Sequence, residues 1–444
     1  MEERNSEKKE RKMRDSGIPW IGEVPEGWKV VPLKYLLSNE ANSLKVGPFG
    51  SQLSGSDFTD DGYWVYNQRS VLDKNFDSND TFISEPKFNS MNSFKVEEND
   101  ILITTRGTIG KICRIPQNYH KGIIHPCIIK FRINESLLMY SLLEKIFNES
   151  DLVKKQFEIN SNATTIDVIY GSTLRNILIP VPPVQIQHSI ADFLDSKCSE
   201  IDTLIENLRA RVESAKEYKK AVITEAVTKG LDKDTKMKDS GIEWIGEMPE
   251  GWEIVPAKYL FSSSDKRKSL NDEQLTSSQK YGIITQKEYM QRENAKIVMA
   301  TQGIEKWKHV EPNDFIISLR SFQGGLEMSE ITGCITWHYV VLKPVKEIIP
   351  RYYKWFFKSD VYIKALQNTC NFIRDGQDLR YSNFVQVPLI DIPLKEQYKI
   401  ADYLDSKCSE IDALLQNYEG QISTLEEYKK SLIYEYVTGK KEVY

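Results

Sequence analysis

The chain repeats itself, and the repeat restricts its fold more than any single motif does. Residues 15–36 read DSGIPWIGEVPEGWKVVPLKYL and residues 239–260 read DSGIEWIGEMPEGWEIVPAKYL; five of the 22 positions differ, so 17 are identical, at an offset of 224 (239 − 15). Residues 191–204, ADFLDSKCSEIDTL, return at 401–414 as ADYLDSKCSEIDAL, and the same offset of 210 (401 − 191) carries EYKK at 217–220 onto 427–430. Between the two echoes lie inserts with little similarity, the second 14 residues shorter (224 − 210). A shared frame holding divergent inserts implies one task performed on two different targets.

A chain of 444 residues exceeds one ordinary core, so two to four domains are expected. The hydrophobic share of 40% and charged share of 28% are those of a globular protein. No apolar run approaches the ~20 residues of a membrane span, and the opening MEERNSEKKERKMR lacks the apolar core of a signal peptide. Residues 1–14 read as a charged, disordered leader. Six scattered cysteines with no CxxC indicate a cytoplasmic protein, with Cys198 and Cys408 as helix-packing residues. The net charge of −5 provides no global attraction to nucleic acid, so any such contact must come from local patches or from a partner's basic surface.

The repeated opening is dense in Gly and Pro around Trp20 and Trp28, which predicts an irregular packed strap. Short β-branched runs follow: DILITT (100–105), GKICRI (110–115), CIIKFRI (127–133) and 176–181, with a helical stretch over 136–157. The second insert keeps that order, with DFIISL (314–319), ITWHYVVLKP (335–344) and a helix over 351–366. Each insert stops at proline and leads into a long helix. Apolar residues recur at sevens, Ile201, Leu208, Ala215 and Val222, then Ile411, Tyr418, Leu425 and Leu432. Leu204, Ile205, Val212 and Ala226 fill the first seam, and Leu414, Leu415, Ile422 and Tyr436 the second, which is coiled-coil spacing. A run from 201 to 227 is 27 residues, roughly 40 Å, longer than one turn of B-DNA at about 34 Å; such a pair would act as a ruler. The expected fold class is α+β: two mixed α/β domains over 15–184 and 239–394, helix regions over 185–230 and 395–444, and a linker over 231–238. The two long helices are expected to be antiparallel, related by a pseudo-two-fold.

Catalytic signatures are missing. There is no GxxxxGK[ST] phosphate loop and no Gly-rich cofactor loop joined to an Asn/Asp-Pro-Pro-aromatic element; VPPV at 181–184 lacks both the acid or amide and the aromatic. Asp73 or Asp80 with Glu85-Pro86-Lys87 makes a poor nuclease site, because Pro86 fits badly inside a strand. Cys113, His120, His125 and Cys127 match no standard zinc spacing and read as buried thiols and loop histidines. The EYKK tetrapeptides read as solvated helix face. No catalytic or metal-binding residue is assigned.

Residues suited to DNA do occur in the inserts. Gly47, Phe49, Gly50, Ser51 and Gln52 form a glycine loop able to offer N–H groups to phosphates, or an ordinary turn. Asn67, Gln68 and Arg69 are the side-chain types that pair with adenine and guanine edges. Arg106, Thr108 and Lys111 follow a strand on a glycine turn; Arg320, Ser321 and Gln323 take the equivalent place, with a structural ion pair as the other reading of Arg106 and Arg320. Lys266, Arg267, Lys268, Gln286, Lys287, Arg374, Gln377 and Arg380 complete the second set.

With these marks together (DSGIxWIGExPEGW twice, GPFGSQL, NDILITTRGTIG, NDFIISLRSFQGG, and PLKEQYKI before ADYLDSKCSEID) the chain resembles the DNA specificity (S) subunits of bacterial type I restriction–modification systems. The resemblance covers nearly the whole chain after the leader. It implies a non-catalytic subunit whose two target recognition domains each read half of a bipartite, asymmetric site on double-stranded DNA. It also implies two methyltransferase (M) subunits held on the spacer helices, with S-adenosylmethionine bound there, and restriction (R) subunits supplying ATP- and Mg2+-dependent translocation and cleavage. No cofactor is expected in this chain. A protein-only scaffold and a self-sufficient nuclease or methyltransferase are the alternatives. The family's Pro-Pro-Leu-x-Glu-Gln helix entry is present at Glu396-Gln397, but the first copy has Ile186 before Gln187, so a different start or docking of the first helix is expected.

Overall fold

The computed structural model describes residues 11–160, 168–294, 303–318, 321–369 and 379–443. The chain divides into two compact units, residues 1–207 with 421–444 and residues 208–420. Both divisions fall inside long helices, Val184–Lys229 and Leu394–Val437. The first is 46 residues, roughly 69 Å, and begins 17 residues before the stretch from 201 whose heptad pattern marked it (201 − 184). No Gly or Pro interrupts it. It begins directly after Pro182-Pro183 and stops at Gly230, whose φ of 78° only glycine adopts without strain.

Within the first unit the start of the first helix packs on the end of the second, running antiparallel. Phe193 packs at a tilt on Tyr436 (4.6 Å between centroids), and Lys429 Nζ lies 2.7 Å from Asp202. The second unit repeats the latter pair as Lys219–Asp412 at 2.6 Å. Most of each EYKK lies on a solvated face as expected, but its first lysine, Lys219 or Lys429, is half-buried and reaches across to the neighbouring helix. The packed stripe alternates steps of four and three residues: Ile201, Ile205, Leu208 and Val212 are buried, as are Ile411, Leu432 and Tyr436. Val222 is buried, and Ala215, Tyr418 and Leu425 are half-buried. Leu204 and Leu414, expected in the seam, are instead 52% and 43% exposed. A step of four from Ile201 or Ile411 stays on the stripe that the following residues define, whereas a step of three from either leaves it.

The repeated opening is more regular than a strap. Met13–Asp15 pairs antiparallel with Glu23–Pro25, and Lys29–Pro32 pairs with Leu178–Val181 at the far end of the insert. In the second unit Met237–Asp239 pairs with Glu247–Pro249, and Glu253–Val255 with Leu389–Asp391. The motif's residues have matching roles: Asp15 and Asp239 each accept the backbone N–H two residues on, at 2.9 Å. The disordered leader expected to reach residue 14 does not, since Met13 and Arg14 belong to this ladder and Arg14 donates to the Trp28 carbonyl. Residues 1–10 lie outside the described residues.

Each insert holds a four-stranded antiparallel sheet. In the first unit the order is Leu44–Val46, Ile128–Phe131, Ile101–Thr104, Ile112–Arg114; in the second it is Phe261–Ser264, Val340–Pro344, Phe315–Ile317, Glu327–Met328. A buried aspartate precedes the central strand in both. Asp100 pairs with Arg132 and Asp314 with Lys343, and each accepts an N–H from three residues earlier. The single helix expected over 136–157 is two, Tyr140–Asn148 and Leu152–Asn160, broken where the Glu149 and Ser150 N–H groups both turn back to the Lys145 carbonyl. The second insert has Pro350–Phe356 and Asp360–Gln367.

The long helices grip the inserts by equivalent residues. The Gln187 side chain accepts the Met139 N–H (2.8 Å) and donates to the Leu137 and Pro182 carbonyls; Gln397 accepts the Ile349 N–H (2.7 Å) and donates to Ile392. Asp195 holds Lys145, and Asp405 holds Arg351 and the Trp355 indole. The two helices start alike, with the N–H groups of Ile186 and Gln187, and of Glu396 and Gln397, turning back to the carbonyl of Pro183 or Pro393. The missing glutamate therefore does not shift the helix start. Its effect falls on the strap tryptophans: Trp252 donates its indole N–H to Glu396 (2.7 Å), whereas the buried Trp28 indole N–H has no hydrogen-bond partner.

Candidate nucleic-acid interface

In the first unit four separate segments meet beyond the end of the central strand Ile101–Thr104. The glycine loop is pinned first. Gly47 donates to the Ile128 carbonyl, and a Cβ at Gly47 would stand 2.3 Å from the His125 carbonyl oxygen, so only glycine fits this approach. Phe49 is left 63% exposed, while Gln52 turns back to accept the Phe49 N–H at 3.1 Å. Thr105 donates both its N–H and its hydroxyl to the Cys127 carbonyl, which ties the TTRGT turn to the same 125–127 segment. Arg106, Gly107 and Thr108 project beyond that tie, all exposed.

Asn67 caps the helix Gln68–Asp73, accepting the Arg69 and Ser70 N–H groups. The cap places Gln68 over Gly107, close enough that a Cβ there would touch its amide at 3.2 Å. Arg69 extends outward, three-quarters exposed, with Asp80 at 3.2 Å. Asn67, Arg69, Ser70, Asp73, Asn79 and Asp80 edge a polar hollow of about 170 Å³. Amide, guanidinium and hydroxyl groups thus share one rim, the donor and acceptor set that base edges and phosphates require.

Two predicted site residues do not join this rim. Lys111 is half-buried and turns inward to the Asn148 carbonyl, and burial lowers its pKa. Ser321 in the second unit is 1% exposed, its Oγ accepting the Ser318 N–H at 2.8 Å.

His125 and Cys127, read from sequence as a loop histidine and a buried thiol, lie at the centre of the convergence. Phe58 stacks on His125 at 6.3 Å, and burial, helped by Arg106, lowers the His125 pKa and favours the neutral ring. Their only sequence signal was proximity to TTRGT in a strand pairing that the sequence did not specify. His120 is elsewhere, stacked on Trp64, and burial pushes Cys113 up to about 12.

The second unit builds its set on different supports. Lys266 pairs with Glu311 (3.0 Å), the Arg267 guanidinium donates to the Lys306 carbonyl (2.5 Å), and Lys268 reaches the Ser269 carbonyl (3.3 Å). Lys343 first, then Lys266, hold Glu311 down at about 2. Gln286 and Lys287 open the helix Gln286–Glu293, which follows its strand as Gln68 and Arg69 follow theirs; Lys287 pairs with Glu273 at 3.4 Å. Gln323 and Arg380 are exposed. Arg320, Arg374 and Gln377 lie outside the described residues, as do the side-chain surroundings of Ser51.

The chain is similar to proteins of type I restriction systems. Residues 25–214 match the type I restriction modification DNA specificity domain. The chain is 24% identical to the type I restriction enzyme MjaX specificity subunit of Methanocaldococcus jannaschii over 441 residues, 95% of each chain. It is 19% identical over 435 residues to the EcoKI specificity subunit of Escherichia coli K12, covering 93% of this chain and 89% of that one. A solved chain from a study of complex assembly and conformational transition of the type I R-M system superposes with a TM-score of 0.67, at 14% identity, over 94% of this chain and 99% of its own. Residues 25–214 thus carry a type I restriction modification DNA specificity domain, and nearly the whole chain is similar to specificity subunits of type I restriction enzymes. No helix among the described residues is long and apolar enough to cross a membrane.

Proposed function

We propose that each unit is a target recognition domain reading one half of a bipartite, asymmetric duplex site, and that the long helices form an antiparallel coiled coil whose length sets the spacer between half-sites. The observation that carries this reading is the duplicated frame. The same ladder, glutamine clamp and aspartate anchor recur in both units, while the rim residues differ: Gln68, Arg69, Arg106 and Thr108 in one, Gln286, Lys287 and Gln323 in the other. In the first unit Gly47, Phe49 and Asn67 shape the loops, and Gln68, Arg69, Arg106 and Thr108 make the contacts. In the second unit Lys266, Arg267, Lys268, Gln286, Lys287, Arg320, Gln323, Arg374, Gln377 and Arg380 are the contact set. The four-three stripe, interrupted only by Lys219 and Lys429, supports the coiled coil, because a polar residue at such a position favours one register.

Two M subunits dock on the outer face of these helices. Leu204 and Tyr428 flank the Asp202–Lys429 pair in the first unit; Leu414 and Tyr218 flank Asp412–Lys219 in the second, all between 43% and 53% exposed. Equal exposed apolar pairs suit two copies of one partner. S-adenosylmethionine stays on the M subunits, ATP and Mg2+ act on the R subunits, and the assembly works in the cytoplasm. The purified chain, given DNA and all three cofactors, should neither methylate nor cut. Coexpressed with its cognate M subunit, it should direct adenine methylation to two short half-sites at a fixed spacing. Turnover by the chain alone points to an enzyme, and methylation without any motif to a protein scaffold.

A further inference from the structure

The two units are built alike but end differently where a long helix meets the repeated ladder. In the first unit Tyr436 is 9% exposed and packs its ring 4.6 Å from Phe193. Gly439 then turns against Pro25 and Trp28, as Gly230 turns against Pro249 and Trp252 in the second unit, and Val443 packs on the first unit's core. At the offset of 210, Tyr436 corresponds to Ala226 and Phe193 to Tyr403. The alanine leaves the second unit a groove of about 670 Å³, with Ala226 and Val222 at its floor and Tyr218, Leu231, Met237 and Tyr403 around it. Tyr218, Leu231 and Tyr403 are 53%, 42% and 39% exposed, an apolar wall open to solvent. A smaller hollow of about 290 Å³ continues it past Leu231 and Asp232 toward Trp252.

We propose that this groove is a docking seat for an aromatic side chain presented by a polypeptide segment of an M subunit. The M subunit as partner rests on the function proposed above; the seat itself rests on the groove. The occupant is identified by the molecule's own duplicate, since the first unit closes the equivalent place with a tyrosine ring packed at a tilt on an aromatic. The groove exceeds what one ring fills, so residues flanking the anchor enter as well. A nucleic acid is disfavoured, because the charged rim is net acidic, with Glu225, Asp232 and Glu247 against Lys229 and Lys233. Among the described residues the first unit fills the equivalent place with Tyr436, so two otherwise equivalent M subunits bind unequally, the tighter one on the second unit.

The test uses the full chain with its cognate M subunit, followed by native mass spectrometry and titration calorimetry. Ala226→Tyr copies Tyr436 and should fill the groove, with Tm unchanged or raised. It should weaken one of the two M-binding steps by more than ~10-fold, the usual effect of losing a buried aromatic anchor, and leave the other step unchanged. The paired rim variant Leu231→Asp with Tyr403→Ser, which leaves the outer-face pair of Tyr218 and Leu414 intact, should weaken the same step, and it reports even where Ala226→Tyr fails to fold. Both binding steps unchanged in a folded variant overturns the seat while leaving the proposed function standing. A wild-type chain that binds no M subunit overturns the proposed function itself. Loss of self-association in place of M binding overturns the seat in favour of a second copy of this chain.

Discussion

Exchanging Ile186 and Glu396 should move the stability of the two units in opposite directions. Trp252 is 1% exposed and donates its indole N–H to Glu396 at 2.7 Å; Trp28 is 2% exposed and donates to nothing. A hydrogen bond to a charged group contributes about 1.5–3 kcal/mol, and an unsatisfied buried donor costs about 1–3 kcal/mol. Glu396 is half-buried, which places Glu396→Ile near the lower end, at about 1.5–2 kcal/mol lost from the second unit. In the first unit Ile186→Glu supplies the missing acceptor, and Arg11, 5.3 Å over the Trp28 ring, adds a cation close by. Ile186 is already 36% exposed, so its removal forfeits only about 1 kcal/mol of the about 1.5–3 kcal/mol that full burial contributes. The net gain is about 1 kcal/mol. To read the two units separately, the assay is native-state hydrogen exchange on each unit's edge ladder, Lys29–Pro32 with Leu178–Val181 and Glu253–Val255 with Leu389–Asp391. Trp28→Phe should abolish the gain from Ile186→Glu. If Ile186→Glu stabilises equally in the Trp28→Phe background, the indole is not the group being satisfied and the reasoning fails.

Other substitutions test the interface and its supports. Gly47→Ala should cost the first unit about 2 kcal/mol or more in urea denaturation, since its Cβ would overlap the His125 carbonyl, and should abolish recognition of one half-site. Arg106→Ala should erase that same half-site from methylation maps while the M-subunit complex still assembles; lost assembly would make Arg106 structural. A double-mutant cycle on Lys219 and Asp412 should return about 0.5–1 kcal/mol that falls with added salt, because the aspartate is half exposed. Lys343 and Lys266 hold the Glu311 carboxyl at about 2 in the folded protein, below its ordinary value near 4.5. The stability it adds is therefore present above pH about 4.5 and is lost as pH falls toward 2. Glu311→Gln should flatten that limb of an acid titration followed by circular dichroism, and an unaltered limb would assign the acid sensitivity to other carboxylates.

The frame was readable because its signals are local. Proline stops, a helix without Gly or Pro, the four-three apolar spacing and the Asp-Ser-Gly turn each act within a few residues, so the long helices and both central strands lie where periodicity put them. The misreadings arose where a distant partner decides the outcome. Leu204 looked like seam until the following residues set the face, and the first lysine of each EYKK looked solvated because Asp412 and Asp202 are 193 and 227 residues away. Lys111 shared a motif with Arg106, yet one side chain turns in to Asn148 and the other out. The meeting of loops 47–52, 67–69 and 105–108 on the 125–127 segment depends on sheet order, which no local pattern encodes.

Duplication supplies a comparison that a single-copy chain lacks. Two copies of one frame face the same packing problem, so a difference between them marks a place where packing alone did not decide. Inside the frame two such differences have structural consequences. Ile186 in place of glutamate leaves an indole donor unsatisfied, and Ala226 in place of tyrosine leaves an open groove. The first lowers stability with no surface exposed in return, which is how drift between copies would look. The second exposes an aromatic wall that the other copy covers, at a cost in buried apolar area that a folded chain gains nothing from bearing alone. That contrast is why the groove, and not the orphaned indole, points to a partner.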